Sequence, residues 1–151
     1  MNPWSCMGVS FSRAIGIEFA DFVKCVGHSG AGEANHNGFH PQECIDVALH
    51  YGFSCTPIQL FAGMIYGPGQ PPVVLWSKEE ATRRFEKYVN STKRGVFEGI
   101  RLKEGNKGIG HAVALIDGMI YDNETKYPVA ECTAHNFHPQ TLWIIKNEQV
   151  L

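Results

Sequence analysis

The chain has 151 residues, 44% apolar and 19% charged, and its 13 Lys and Arg against 15 Asp and Glu give a formal net charge of -2. That length suits one domain over 1–151 with its own hydrophobic core. The charge balance excludes a general pull toward nucleic acid or anionic lipid, and no stretch is long and apolar enough to span a bilayer.

Met7, Phe11, Ala14, Ile15, Phe19, Phe22, Val23 and Val26 recur at helical spacing. They predict one helix from about Cys6 to Val26, weakened by Gly16 and stopped by Gly27. Residues 27–39, rich in Gly, Asn, His and Ser, read as a loop. Pro41 then opens a helix that Gly52 ends, with Cys44, Val47, Ala48 and Tyr51 on one face. Pro57 is expected to begin a short helix to about Ala62. A loop over Gly67–Pro72 and a short strand over Val73–Trp76 follow. Ser77-Lys78-Glu79-Glu80 caps a helix to about Val89. Arg83, Arg84, Lys87, Lys93 and Arg94 cluster there and read as a solvated face.

The last third changes character. Gly95–Leu102 reads as a strand, Lys103–Gly110 as a polar connection and His111–Ile116 as a second strand. Asp117-Gly118 signals a tight hairpin, with Met119 to Asp122 or Asn123 as the return arm. A final strand is expected over Thr141–Lys146. Helices first and sheet afterwards make an α+β class, N-terminal helices packed on a C-terminal antiparallel sheet.

Five cysteines stand at 6, 25, 44, 55 and 132. An odd number leaves at least one thiol free unless it pairs between chains. No basic region and apolar run of a secretory signal heads the sequence, so a reducing, cytoplasmic compartment is expected. Asn90-Ser91-Thr92 fits a glycosylation sequon, which matters only in a secreted eukaryotic chain.

Cys6 alone among the five stands where a helix begins. The positive end of a helix and a nearby imidazolium both favour a thiolate, the nucleophilic form of cysteine. His111 opens a strand of otherwise apolar residues. The hairpin returns Asp122 to the level of His111 or one residue short of it, where its carboxylate can orient the imidazole. A register change of one residue would put Asn123 in that place.

A cysteine-headed helix, a late Gly110-His111-Ala112-Val113-Ala114-Leu115 strand and a return strand ending Tyr121-Asp122 together resemble the papain-like cysteine peptidase superfamily. The nearest group is the bacteriocin-processing, C39-like peptidases, and the histidine strand is also similar to NlpC/P60 amidopeptidases and transglutaminase-like enzymes. The resemblance implies a papain-like fold, Cys6 as nucleophile, His111 as base and Asp122 as orienting residue. It implies a thiol hydrolase that cleaves a peptide or amide bond in a peptide or protein substrate through an acyl-enzyme, with no cofactor. These families commonly place an oxyanion-stabilising glutamine several residues before the cysteine. None of the five residues preceding Cys6 is glutamine, so Asn2 and Ser5 are the oxyanion candidates. Trp4 reads as a hydrophobic anchor.

Two other classes fit parts of the pattern. One is a catalytically inactive papain-like interaction protein. The other is a small zinc-stabilised binding module built on Cys25, His28, His40 and Cys44, since Cys-x2-His and His-x3-Cys can form a tetrahedral site. Cys132, His135 and His138 form a second such run. The Gly105–Gly110 segment lacks the spacing of a phosphate-binding loop. Oligomeric state is not encoded in any of these features.

Overall fold

The computed structural model describes residues 5–31, 38–60, 64–65, 73–74, 77–102 and 108–148. Gly16 divides the N-terminal helical stretch in two, so the single helix expected over 6–26 is replaced by α1, Cys6–Ile15, and α2, Phe19–Val26. Gly16 takes the left-handed conformation at φ 79°. Its N–H donates to the Arg13 carbonyl at 3.2 Å and the Ile17 N–H to that of Ser12 at 3.0 Å, a Schellman ending. The apolar period continues across the break, which is why periodicity misses it. Gly27, at φ 92°, ends α2 as expected.

Helix α3 spans Pro41–His50. Pro41 sits in its first turn, the His40 ring accepts from the Gln42 N–H, and the Glu43 carboxylate accepts from the His40 N–H. Helix α4, Lys78–Ser91, starts with the Ser77 hydroxyl accepting from the Glu80 N–H at 3.1 Å.

The helix expected from Pro57 is instead strand β1, Phe53–Gln59. Proline lacks the donor a central strand needs, but β1 is the edge of its sheet, where that loss is tolerated. Short strands β2, Met64–Ile65, and β3, Val73–Val74, pair with each other; residues 75–76 of the strand expected over 73–76 lie outside the described residues. Strands β4, Arg94–Leu102, β5, Gly108–Ile116, β6, Met119–Asp122, β7, Thr125–Pro128, and β8, Phe137–Asn147, complete the second half. The six-stranded antiparallel sheet runs β1-β8-β4-β5-β6-β7.

Side chains alternate across this sheet and build two cores. Val96, Ala112 and Ile145 pack against Phe11, Ala14, Phe22, Cys44 and Val47 from α1–α3. Phe97, Val113, Leu115, Ile120 and Leu142 pack on the other side with Val89 and Phe85 of α4. The result is a mixed α+β architecture, four helices on an antiparallel sheet among the described residues. No described helix is long and apolar enough to cross a membrane.

Two local features shape the open end of the sheet. Gly8 lies against Phe39, whose ring a Cβ would meet at 2.7 Å, so the ring packs directly on α1. Between Glu98 and Gly99 the β4–β8 register shifts from Thr141 to Pro139, leaving Gln140 as the extra residue of a bulge.

Candidate active site

Cys6 is the first residue of α1, and Ser5 precedes it, buried and making no side-chain capping bond. Cys6 and Met7 border a cleft of about 420 Å³ with Phe39, Glu98, His111 and Thr141. Floor and walls therefore come from α1, the segment before α3, and strands β4, β5 and β8.

The hairpin that carries His111 turns where expected. Asp117 and Gly118 both have positive φ, 49° and 78°, the requirement of a type I′ turn. The register runs Ile116↔Met119, Leu115↔Ile120 and Ala114↔Tyr121. Continued by one step, it sets Asp122 opposite Val113, diagonal to His111 on the same face. The return arm thus stops two residues short of His111, a little further than the sequence implies, and the side chains close the gap. His111 Nε2 lies 2.8 Å from Asp122 Oδ1. Asn123 does not take this place. It is exposed in the turn, and its backbone carbonyl accepts from Arg13 Nη2 at 2.6 Å.

Burial opposes charge on His111, but hydrogen bonds to Asp122 and to Cys6, with the charges of both, outweigh it and raise its pKa to about 9. Asp122 shows the complementary balance. Burial favours its neutral form, yet the His111 hydrogen bond and the charges of His111, Arg101 and Arg13 hold the carboxyl below its ordinary value. Arg101 Nη1 stands 3.8 Å from Asp122 Oδ2. The Phe137 ring meets the imidazole edge-on, centroids 5.9 Å apart. With Nε2 held by Asp122, Nδ1 is the ring nitrogen left for the Cys6 thiol. Such an arrangement can hold a proton between sulfur and nitrogen while the carboxylate fixes the ring.

Of the other expected site residues, Ser5 adjoins Cys6 as its sequence position dictates, while Asn2 and Trp4 lie outside the described residues. The zinc set does not assemble. Cys44 belongs to the apolar core, Cys25 is exposed, and the His40 ring caps α3. His28 uses both ring nitrogens, Nε2 against Glu43 at 2.5 Å and Nδ1 accepting from the Gly30 N–H. Cys132 is buried in the second core and His135 stacks on Tyr127 at 3.8 Å. Among the described residues no group of three or more His, Cys, Asp or Glu can hold a metal ion.

Arg13, Arg101 and Glu98 are site residues that sequence reasoning missed. Alternation along Gly95–Leu102 puts Arg101 on the face of Gly99 and Phe97, but only the pairing Gly99↔His111 brings it to Asp122. Comparisons with protein-family models, with curated proteins and with solved structures find no match for this chain.

Proposed function

We propose that the chain is a cysteine-dependent hydrolase of papain-like type, acting on a peptide or amide bond. The observation that supports this reading is the His111–Asp122 pair, Nε2 2.8 Å from Oδ1, at a cleft that Cys6 and His111 both border. A thiol, an imidazole and a carboxylate in that order are the parts of an acyl-transfer site. In this reading the cleft that Cys6 and His111 border receives the substrate.

In this mechanism the Cys6 sulfur, its proton held on His111, attacks the carbonyl carbon. A C–S bond forms and the carbonyl electron pair moves onto oxygen. The N–H of Cys6, at the positive end of α1, is the backbone candidate for that oxyanion, with Asn2 and Ser5 as side-chain candidates. The intermediate collapses as His111 hands its proton to the leaving amine, and the C–N bond breaks. Water then gives a proton to His111 and attacks the thioester, which releases the acid and restores the thiol–imidazole pair. Asp122 holds the ring throughout, and Arg13 and Arg101 keep Asp122 ionised.

Selective alkylation tests this reading. Burial pushes Cys44, Cys55 and Cys132 above their ordinary values, Cys55 to about 11, which leaves exposed Cys25 as the internal reference. Iodoacetamide at about pH 6, well below the ordinary thiol pKa, should modify Cys6 at least tenfold faster than Cys25, and His111→Ala should abolish the difference. Equal rates at the two cysteines, unchanged by that substitution, would favour a non-catalytic interaction protein.

A further inference from the structure

The cleft has a second charged feature that the acyl-transfer chemistry does not use. Glu98 lies on its floor, on the β4 position opposite Ala112 of β5 and Thr141 of β8. Ala112 follows His111 directly, so the Glu98 carboxylate sits within one cross-strand spacing, about 5 Å between Cβ atoms, of the residue next to the base. Its two strand neighbours are small and uncharged, Ala112 buried and Thr141 half-buried. The Trp143 indole N–H donates to Glu98 Oε1, which ties the carboxylate down diagonally across β4 and β8.

Among the described residues that border the cleft, Glu98 is the one carboxylate, and none is lysine or arginine. No described cation forms an ion pair with it. A half-buried carboxylate held by a neutral donor, with no described cation paired to it, keeps acceptor capacity for a positively charged guest.

We propose that Glu98 makes this cleft selective for a peptide that places an arginine or lysine side chain next to the bond presented to Cys6. The guest ammonium or guanidinium takes the free acceptor positions of Glu98, while its aliphatic stem passes over Thr141. This names a substrate class for the hydrolase reading and rests on that reading only for the chemical step. Binding at Glu98 stands independently of turnover.

The test compares N-acetyl-Ala-Arg-Ala-amide with its citrulline counterpart, which keeps the shape and removes the charge. Binding is measured by calorimetry or NMR on the full chain carrying Cys6→Ala, so that no peptide is consumed. The arginine peptide should bind about tenfold more tightly, and adding Glu98→Gln, which preserves the acceptor for Trp143, should equalise the two peptides. Equal affinities in the Cys6→Ala protein, or no binding of either peptide, overturn the proposal. So does a preference that survives Glu98→Gln. The Cys6→Ala comparison decides the matter even if the Glu98 variant fails to fold. Arginine preference together with an unreactive Cys6 would reject hydrolysis and keep the cation site.

Discussion

His111 and Asp122 meet on the diagonal of the β5–β6 hairpin, Nε2 2.8 Å from Oδ1, with Arg101 3.8 Å from the second carboxylate oxygen. The carboxylate orients the ring, and its charge supports the imidazolium. These two contributions separate by substitution. Asp122→Asn keeps an acceptor for Nε2–H and loses the charge, whereas Asp122→Ala loses both. The pKa of His111, followed by NMR of its ring protons, should fall from about 9 in both variants and further in the alanine variant. For the proposed hydrolase, activity should drop about a hundredfold for Asp122→Asn and further for Asp122→Ala, within the range of positioned acid–base groups. An unchanged His111 titration in Asp122→Ala would place the source of its raised pKa elsewhere.

The same shifts fix a pH dependence of stability. His111 is raised in the folded state from about 6.5 to about 9, so the folded chain holds its proton where the unfolded chain has released it. That contribution is complete below about pH 6.5 and is lost as the pH rises through about 9. Asp122 acts in the opposite sense, its contribution present above the unfolded carboxyl pKa and lost as acid protonates it. Urea midpoints should therefore fall between about pH 6.5 and 9, and His111→Gln should flatten this slope. A wild-type midpoint that rises over the same interval contradicts the assignment.

Much of this geometry was legible in local sequence, because local chemistry sets it. Asp117-Gly118 carries the positive φ values of a type I′ turn, and Pro41 and Ser77 mark helix starts through the donors they lack or satisfy. The features that were missed depend on distant partners. Pro57 looks the same at a helix start and on an edge strand, and only pairing with β8 decides between them. Strand β7 buries Tyr127 alone among its four residues and so gives no alternation signal. The helix break at Gly16 leaves the apolar spacing intact. Glu98 and Arg101 become site residues through the β4–β5 register, a relation between segments that neither segment encodes by itself.

Two glycines in the site strands should respond oppositely to alanine. A Cβ on Gly99 would stand 2.1 Å from the His138 carbonyl oxygen, at the bulge that shapes the cleft floor. Backbone cannot yield as a flexible side chain does, so Gly99→Ala should cost about 2 kcal/mol or more and disturb the neighbouring His111. A Cβ on Gly110 meets nothing within 4 Å, and Gly110→Ala should stay within about 0.5 kcal/mol of wild type. Urea denaturation of the pair tests the register directly. Equal losses would mean that β4 and β8 do not approach at Gly99 as described.

Tyr127 offers a test of the second core beside the site. Its ring is buried against His135, and its hydroxyl finds no hydrogen-bond partner among the described residues. Burial, the first cause, together with the charges of Asp122 and Cys132 raises the phenol pKa to about 12 despite Arg101, so the group stays neutral. A buried hydroxyl without a partner loses its hydration on folding and gains nothing in return. Tyr127→Phe keeps the ring packing and removes that penalty, so the variant should match or exceed wild-type stability by up to about 1 kcal/mol. The pKa of His111 should be unchanged, since its shift comes from Asp122 and Cys6. A loss beyond about 1 kcal/mol would reveal a partner for the hydroxyl, and a displaced His111 titration would make Tyr127 part of the network that holds Asp122.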